Sequence, residues 1–210
     1  MQPMATKTRT YNSSRRSRQA AQTRDEILSA AIELFSESGW AGTTLAAIAE
    51  RAGVAVETIY AGFGSKKQLL RIALDVAIAG DTAEIPVADR PEARRLAEGT
   101  TDDRLHAAAA LTATAHDRTL GIIRALNEAA RSDDEVERWR HELEKARRKE
   151  VEIGLERVLD RKITDDRFID LVWTVLSPEI YDKLVTDAGM SRDQYERTIY
   201  DALKALTALL

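Results

Sequence analysis

Side chains that commonly catalyse reactions or bind metal ions are few in this chain, which has three histidines and no cysteine among 210 residues. His106, His116 and His141 are separated by ten and twenty-five residues, unlike compact metal motifs such as two histidines four residues apart on a helix. The lack of cysteine excludes disulfides, thiolate metal sites and cysteine nucleophiles. No serine lies in a nucleophile elbow, and no glycine-rich phosphate loop is present. We therefore predict no enzymatic activity, no metal site and no cofactor.

Charge is distributed unevenly along the chain. The net charge is −4, yet residues 1–80 carry ten Lys or Arg against seven Asp or Glu, whereas the remainder carries 21 against 28. Six basic residues and no acidic residue precede Asp25. An anionic partner is therefore expected for the N-terminal part alone. For the tail itself, a solvated and disordered segment is an equally good interpretation.

Composition favours an all-α fold. Hydrophobic residues make up 44% of the chain, only four residues are proline, and the β-branched and aromatic residues that fill sheets are sparse. No apolar run approaches the roughly 18 residues needed to cross a bilayer, and the N-terminus lacks the apolar core of a signal peptide. We therefore expect no membrane association and a cytoplasmic location.

The N-terminal region divides into an arm and a first helix. Residues 1–22 are rich in Thr, Ser, Arg and Gln without apolar periodicity, which predicts a flexible basic arm. Thr23 to Glu26 has the form of a capping box, so a helix is expected to begin there. Gly39 is expected to end it.

Two short helices follow. Thr43 and Thr44 offer an N-cap for the second helix, and Gly53 ends it with a tight turn. Val56 and Tyr60 fall on a third helix only a few residues later. Two short helices joined by a glycine-containing turn are typical of a helix-turn-helix.

A fourth helix and a junction complete the N-terminal domain. Ser65 to Gln68 is another capping box, which opens the fourth helix. Residues 80–101 contain two glycines and two prolines with few large apolar groups, so the domain junction is expected there. The predicted domains are 23–80, which carries the helix-turn-helix, and 81–210, which is helical.

The C-terminal domain shows helical patterns throughout. Ser132 to Glu135 resembles a capping box before a long charged helix, and Ser177 and Ser191 supply further caps. The last two segments, roughly 167–187 and 192–210, are apolar enough to pair with a second copy in a four-helix interface. A homodimer is therefore expected.

Thr23 to Leu70 resembles the DNA-binding domain of the TetR family of bacterial transcription regulators. The resemblance lies in Ala31-Ile32-Glu33-Leu34-Phe35, Gly39-Trp40, Thr43-Thr44, Ile48-Ala49, Ala52-Gly53-Val54, Thr58-Ile59-Tyr60, Phe63 and Ser65-Lys66. Trp173 to Tyr181 and Ser191 to Tyr195 resemble the ligand-binding and dimerisation domain of one branch of that family. This likeness implies an all-α homodimer whose third helices enter the major groove, and a small-molecule effector in the C-terminal domain that changes their spacing. The chain departs from the family at Ala55, where a Ser-like cap is usual, and at Gly62, where many members have His.

The third helix would read bases through the side chains near its N-terminus. Ala55 and Val56 are able to touch a thymine methyl group, Glu57 is able to accept from a cytosine amino group, and Thr58 completes the set. An equally good interpretation of Glu57 is a carboxylate that is solvated or paired with an arginine.

Most of the affinity is expected from phosphate contacts, which carry no sequence information. Thr44, Tyr60 and Lys66 are the candidate residues. The alternatives are a core ring for Tyr60, which family resemblance makes the weaker choice, and an ordinary surface side chain for Lys66.

The basic arm offers a further contact with double-stranded DNA. Its arginines Arg15, Arg16 and Arg18 are placed to enter the minor groove beside the site or to follow the backbone. Neither route reads bases in the major groove.

An effector pocket in the C-terminal domain would be apolar with few polar anchors. The apolar candidates are Leu111, Ala115, Ile123, Leu126, Trp139, Leu143 and Trp173, and the polar candidates are His116, Asn127 and Tyr181. The alternative is a plain core, because an apolar stripe on a bundle helix is more often core than pocket wall.

Together these patterns predict a DNA-binding transcription regulator, a repressor that a small-molecule effector releases from a palindromic operator. The alternative is a helical ligand-binding or protein-interaction module that keeps the head but does not bind DNA. Ala55 and Glu57 support that alternative, because alanine has no side-chain donor for a phosphate and a glutamate carboxylate is repelled by one.

Overall fold

The computed structural model describes residues 9–83, 85 and 89–210, with side chains from Arg15 onward. Its described part is helical and contains no strand, which confirms the all-α prediction. The helices are α1 (Arg9–Gly42), α2 (Leu45–Ala52), α3 (Val56–Phe63), α4 (Lys66–Ala79), α5 (Pro91–Arg94), α6 (Thr101–Ala130), α7 (Asp134–Leu159), α8 (Asp166–Val175), α9 (Pro178–Asp182) and α10 (Arg192–Thr207). We call α1–α4 the head and α5–α10 the body.

The first helix is longer than the sequence pattern suggested. It begins at Arg9, so the start predicted at Thr23 is wrong and residues 9–22 are helical; residues 1–8 of the predicted arm lie outside the described part. No Gly or Pro interrupts the chain between Arg9 and Ser38, and the Gln22 side chain donates to the Glu26 carboxylate one turn on. A threonine within such a run does not stop a helix, because its cap competes with good helix formers on both sides.

The head packs around a compact core. Phe35, Ile48, Ile59 and Leu69 bring the four helices together, and all four side chains are nearly inaccessible to solvent. Gly39 interrupts α1 with a φ of 68°, which confirms the predicted stop. This backbone conformation favours glycine, because a side chain there would be strained.

The central helix of the body is α6. Thr100 and Asp103 form a capping box at its start, a cap that the sequence pattern had not suggested. The following helix α7 is capped by Asp133, whose side chain accepts from the Glu135 and Val136 amides, and not by Ser132. Asp at the N-cap competes well with Ser, which explains the one-residue shift. Ser177 and Ser191 cap α9 and α10 as predicted.

Head and body share one of the two hydrophobic cores. The first core extends from the head into Ile122, Leu126 and Val136 of α6 and α7, while the second is formed within the body. At the crossing of α1 and α6, a Cβ added to Gly121 would lie 2.4 Å from the Ser36 Cβ and 2.8 Å from its Cα. The two helices therefore cross at backbone contact. No helix in the described part is long and apolar enough to span a bilayer.

Candidate nucleic-acid interface

The helix-turn-helix is formed by α2, its glycine turn and α3. The Thr44 hydroxyl oxygen accepts from the Ala47 amide at 3.0 Å and caps α2, whereas the buried Thr43 hydroxyl donates to the Leu34 and Gly39 carbonyls. Gly53 has a φ of 66° and turns the chain towards α3. Thr44 is thus the N-cap of α2, and Thr43 satisfies carbonyl groups near the end of α1.

The exposed side of α3 carries most of the residues predicted to contact DNA. Ala55, Glu57 and Thr58 are exposed, and Tyr60 is 55% exposed, so its ring is not a core residue. Val56 differs, because it is half-buried and packs against the head core. A valine held by that core is less available to a thymine methyl group than the sequence pattern suggested.

Glu57 lies at the N-terminus of α3 without a partner. It makes no hydrogen bond or ion pair with the side chains that the structure describes, and Ala55 supplies no side-chain cap there. The partial positive charge of a helix N-terminus stabilises such a carboxylate. The predicted pairing of Glu57 with an arginine is therefore not formed within the described residues; Arg51 instead pairs with Glu33 and Glu37.

Lys66 is engaged with the head itself. Its ammonium donates to the Trp40 carbonyl and lies 4.0 Å from the centre of the Trp40 ring. Burial lowers the pKa of Lys66, and the nearby Glu128 charge opposes that shift. Lys66 is therefore not an ordinary solvated lysine. To contact a phosphate, its ammonium would have to break its hydrogen bond with the Trp40 carbonyl or donate to both groups.

One cation near α3 was not among the predicted site residues. The Arg24 guanidinium lies 4.8 Å from the centre of the Phe63 ring, at the C-terminal end of α3, and the side chain is exposed. Arg24 precedes the first buried residues of α1, Ile27 and Leu28, by about one turn. Only the folding of the head brings it to this surface, so no local pattern in the sequence indicated it.

Comparison with known families and structures agrees with this geometry. Residues 27–72 match the family described as bacterial regulatory proteins, tetR family. The matched residues lie within the head, which is similar to the domain of that family. No curated protein matches the sequence.

Solved structures extend the likeness from the head to the body. A putative TetR-family transcriptional regulator from Rhodococcus sp. is 16% identical with a TM-score of 0.67, over 89% of this chain and 98% of that chain. A putative transcriptional regulator from Pseudomonas aeruginosa PAO1 is 18% identical with a TM-score of 0.62, over 91% of each chain. A transcriptional regulator from Rhodococcus sp. Rha1 is 16% identical with a TM-score of 0.59, over 86% of this chain and 94% of that chain. At these identities the likeness concerns the fold.

The residues predicted to line an effector pocket do not gather in one place in the body. Ile123, Leu126, Trp139 and Leu143 belong to the core shared with the head, whereas Leu111 and Tyr181 belong to the body core. Ala115 and Trp173 are half-buried, and the Arg147 guanidinium lies 4.9 Å from the centre of the Trp173 ring. A small half-open groove between α6 and α9 is lined by Leu120, Ile123, Arg124, Asn127, Pro178, Glu179 and Asp182.

Two of the three polar anchors, His116 and Tyr181, are held by partners within the body. His116 Nδ1 and the Tyr195 hydroxyl are 2.9 Å apart in the interior, and the Tyr181 hydroxyl donates to Asp117 at 3.0 Å. Burial, followed by the charge of Arg147, lowers the pKa of His116 to about 4. Burial and the bond to Asp117 raise the pKa of Tyr181 to about 12. Both groups are therefore neutral at pH 7, and only Asn127 of the three predicted anchors lines the groove.

Proposed function

We propose that this chain is a transcriptional repressor that binds a palindromic operator as a homodimer and leaves it when a small molecule binds the body. The observation that supports DNA binding best is the surface of α3, where Ala55, Glu57, Thr58 and Tyr60 all face solvent beside the capped start of α2. These groups project from a short helix fixed by the head core, as major-groove recognition requires.

Few side chains would read bases directly. Ala55 is able to contact a thymine methyl group, and the unpaired Glu57 is able to accept from a cytosine amino group. Thr44 and Tyr60 would donate to phosphates, and Lys66 would add charge behind them. With so few base contacts, half-site spacing and DNA shape would supply much of the choice of sequence.

The N-terminal turns of α1 support a contact with the phosphate backbone. Arg15, Arg16 and Arg18 are exposed on a helix, not on an extended arm. A helix with side chains is about 10–12 Å wide, whereas the minor groove is about 6 Å wide. We therefore favour a helix that runs along the phosphates over an arm inserted in the minor groove.

Dimerisation would use α8 and α10. Leu171 on α8 is 44% exposed, and Leu209, just beyond α10, is 76% exposed. Apolar side chains left open on two adjacent helices are suited to a two-fold four-helix interface. Such a dimer would hold two heads at the fixed separation that a palindrome needs.

Effector control would act through the body. The groove between α6 and α9 combines the apolar Leu120 and Ile123 with the polar Asn127 and Arg124, and it would have to widen to admit a small organic ligand. Release from DNA requires such a ligand to bind the DNA-incompetent arrangement more tightly. Ligands that raise the melting temperature of the protein would be tested for loss of DNA binding.

The proposal is tested at Tyr60. Tyr60→Phe keeps the ring but removes the hydroxyl, so we expect operator affinity to fall about five- to tenfold because a charge-assisted hydrogen bond is lost. Fluorescence anisotropy with DNA from upstream of the gene measures this change. Tyr200→Phe removes a hydroxyl from the body and should leave affinity unchanged, since Tyr200 donates to Asp102. Equal affinities for Tyr60→Phe and the wild type would remove Tyr60 from the interface.

A further inference from the structure

A carboxylate from the body holds the backbone of the head just before the helix-turn-helix. Glu128, near the C-terminal end of α6, accepts from the Trp40 amide at 2.7 Å through Oε2 and from the Ala41 amide at 3.2 Å through Oε1. These amides lie 88 and 87 residues away in sequence. One side chain thus binds two consecutive peptide groups of another domain.

The same backbone segment is held from the other side by α4. Lys66 donates to the Trp40 carbonyl, and its ammonium also lies over the Trp40 ring. The carbonyl and the amide of Trp40 are therefore bound by opposite charges from different helices, one in the head and one in the body. We call Trp40, Ala41, Lys66 and Glu128 the Trp40 clasp.

The backbone around the clasp is shaped to admit the carboxylate. Gly39 has a φ of 68°, and a Cβ added there would lie 2.6 Å from Glu128 Oε2. The residues that follow the clasp are Thr43, which seals α1, and Thr44, which caps α2. Any movement of this segment would reach the start of α2 within three residues.

We propose that Glu128 is a positioning residue for DNA binding, which fixes the orientation of the head relative to the body through the Trp40 clasp. This inference rests on the proposed function, because it assigns the clasp a role in presenting α3 to an operator. A second link supports it, since Lys67 in the first turn of α4 pairs with Asp133 and Glu135 at the turn between α6 and α7. The start of α4 is therefore joined to the start of α7 by charges.

Glu128 would hold the head in place before DNA binds. Hydrogen bonds to a charged acceptor are stronger than neutral ones, so two of them restrain the 40–44 segment closely. Without Glu128, the head would sample more orientations in free solution, and each binding event would have to order it again. Glu128 would therefore raise DNA affinity without touching DNA.

Three variants separate the role of the clasp from general effects of charge. Glu128→Ala removes both acceptors, and Glu128→Gln keeps one acceptor oxygen. Glu142→Gln is the matched control, because Glu142 is an exposed acid that pairs within α7 with Lys145. All three are prepared as full-length chains and compared with the wild type for melting temperature, so that unfolding is recognised.

Two measurements read the orientation of the head without DNA. Hydrogen exchange of the Trp40 and Ala41 amides reports the clasp directly. The chain has no cysteine, so spin labels at Glu50→Cys on α2 and Glu150→Cys on α7, both exposed positions, report the distance between head and body. The doubly labelled chain is diluted with unlabelled chain so that only distances within one chain are measured.

We expect Glu128→Ala to accelerate exchange at Trp40 and Ala41 at least about tenfold, to broaden the label distance distribution, and to weaken operator binding about tenfold. Glu128→Gln should fall between this variant and the wild type, and Glu142→Gln should match the wild type. Unchanged exchange or an unchanged distance distribution in Glu128→Ala would overturn the proposal. Altered exchange with operator affinity within about twofold of the wild type would also overturn it. If the wild type binds no DNA, the proposed function fails, and the positioning role in DNA binding fails with it, whatever the exchange and distance measurements give.

Discussion

Gly121→Ala is expected to lower the free energy of unfolding by about 1–3 kcal/mol, the usual cost of overpacking a well-packed site. The added Cβ would meet the Ser36 Cβ at 2.4 Å and the Ser36 Cα at 2.8 Å. The second of these atoms is backbone, so rotation of the serine side chain does not relieve the contact. The α1–α6 crossing must therefore widen, which loosens the core shared by head and body.

The matched control is Gly154→Ala. Gly154 lies within α7, and a Cβ added there would meet no atom within 4 Å. Because glycine is a poor helix former, alanine at this position should raise the free energy of unfolding by about 0.5–1 kcal/mol. Urea denaturation of both variants tests the pair. Stabilisation by alanine at both positions would show that α1 and α6 do not cross at backbone contact.

Acid is expected to destabilise the protein through His116. The folded pKa of about 4 lies below the unfolded value of 6.5, so between these pH values the unfolded state binds the extra proton. The stability that neutral His116 contributes is complete above about pH 6.5 and is lost as the pH falls towards about 4. The difference between the two pKa values corresponds to a loss of at most about 3.5 kcal/mol.

Comparing the wild type with His116→Gln isolates the contribution of His116 to the pH dependence of stability, because carboxylates that titrate in the same range are common to both proteins. We expect the free energy of unfolding of the wild type to fall more steeply between pH 6.5 and 4 than that of His116→Gln. Parallel pH profiles for the wild type and His116→Gln would contradict the burial of a neutral imidazole beside Tyr195.

The sequence predicted the helix-turn-helix because local chemistry defines it. Gly53, the Thr44 cap and the Ser65 cap each act within three or four residues of their position, and the structure contains all three. Local patterns were less reliable where two neighbouring residues compete. The Thr23 start was overruled by helix formers on both sides, and Asp133 took the cap assigned to Ser132.

Contacts between distant parts of the chain had no local sign. Glu128 is one of many acids on a helical pattern, and only the fold brings it to amides 88 residues away. Nothing in the sequence near Gly121 indicates that Ser36 of α1 lies against it. The predicted pocket residues failed to gather for a related reason, since apolar spacing gives the face of a helix but not the neighbour that covers it.

Footprinting of DNA from upstream of the gene is the most direct test that the chain is a DNA-binding repressor. We expect two protected half-sites related by two-fold symmetry, with centres about one helical turn, roughly 10 base pairs, or a multiple of it apart. We also expect affinity at least about tenfold weaker at about 200 mM than at about 50 mM salt, because phosphate contacts release counterions. The absence of protection at low salt on every candidate palindrome would contradict DNA binding and favour a helical binding module that has the head but does not bind DNA.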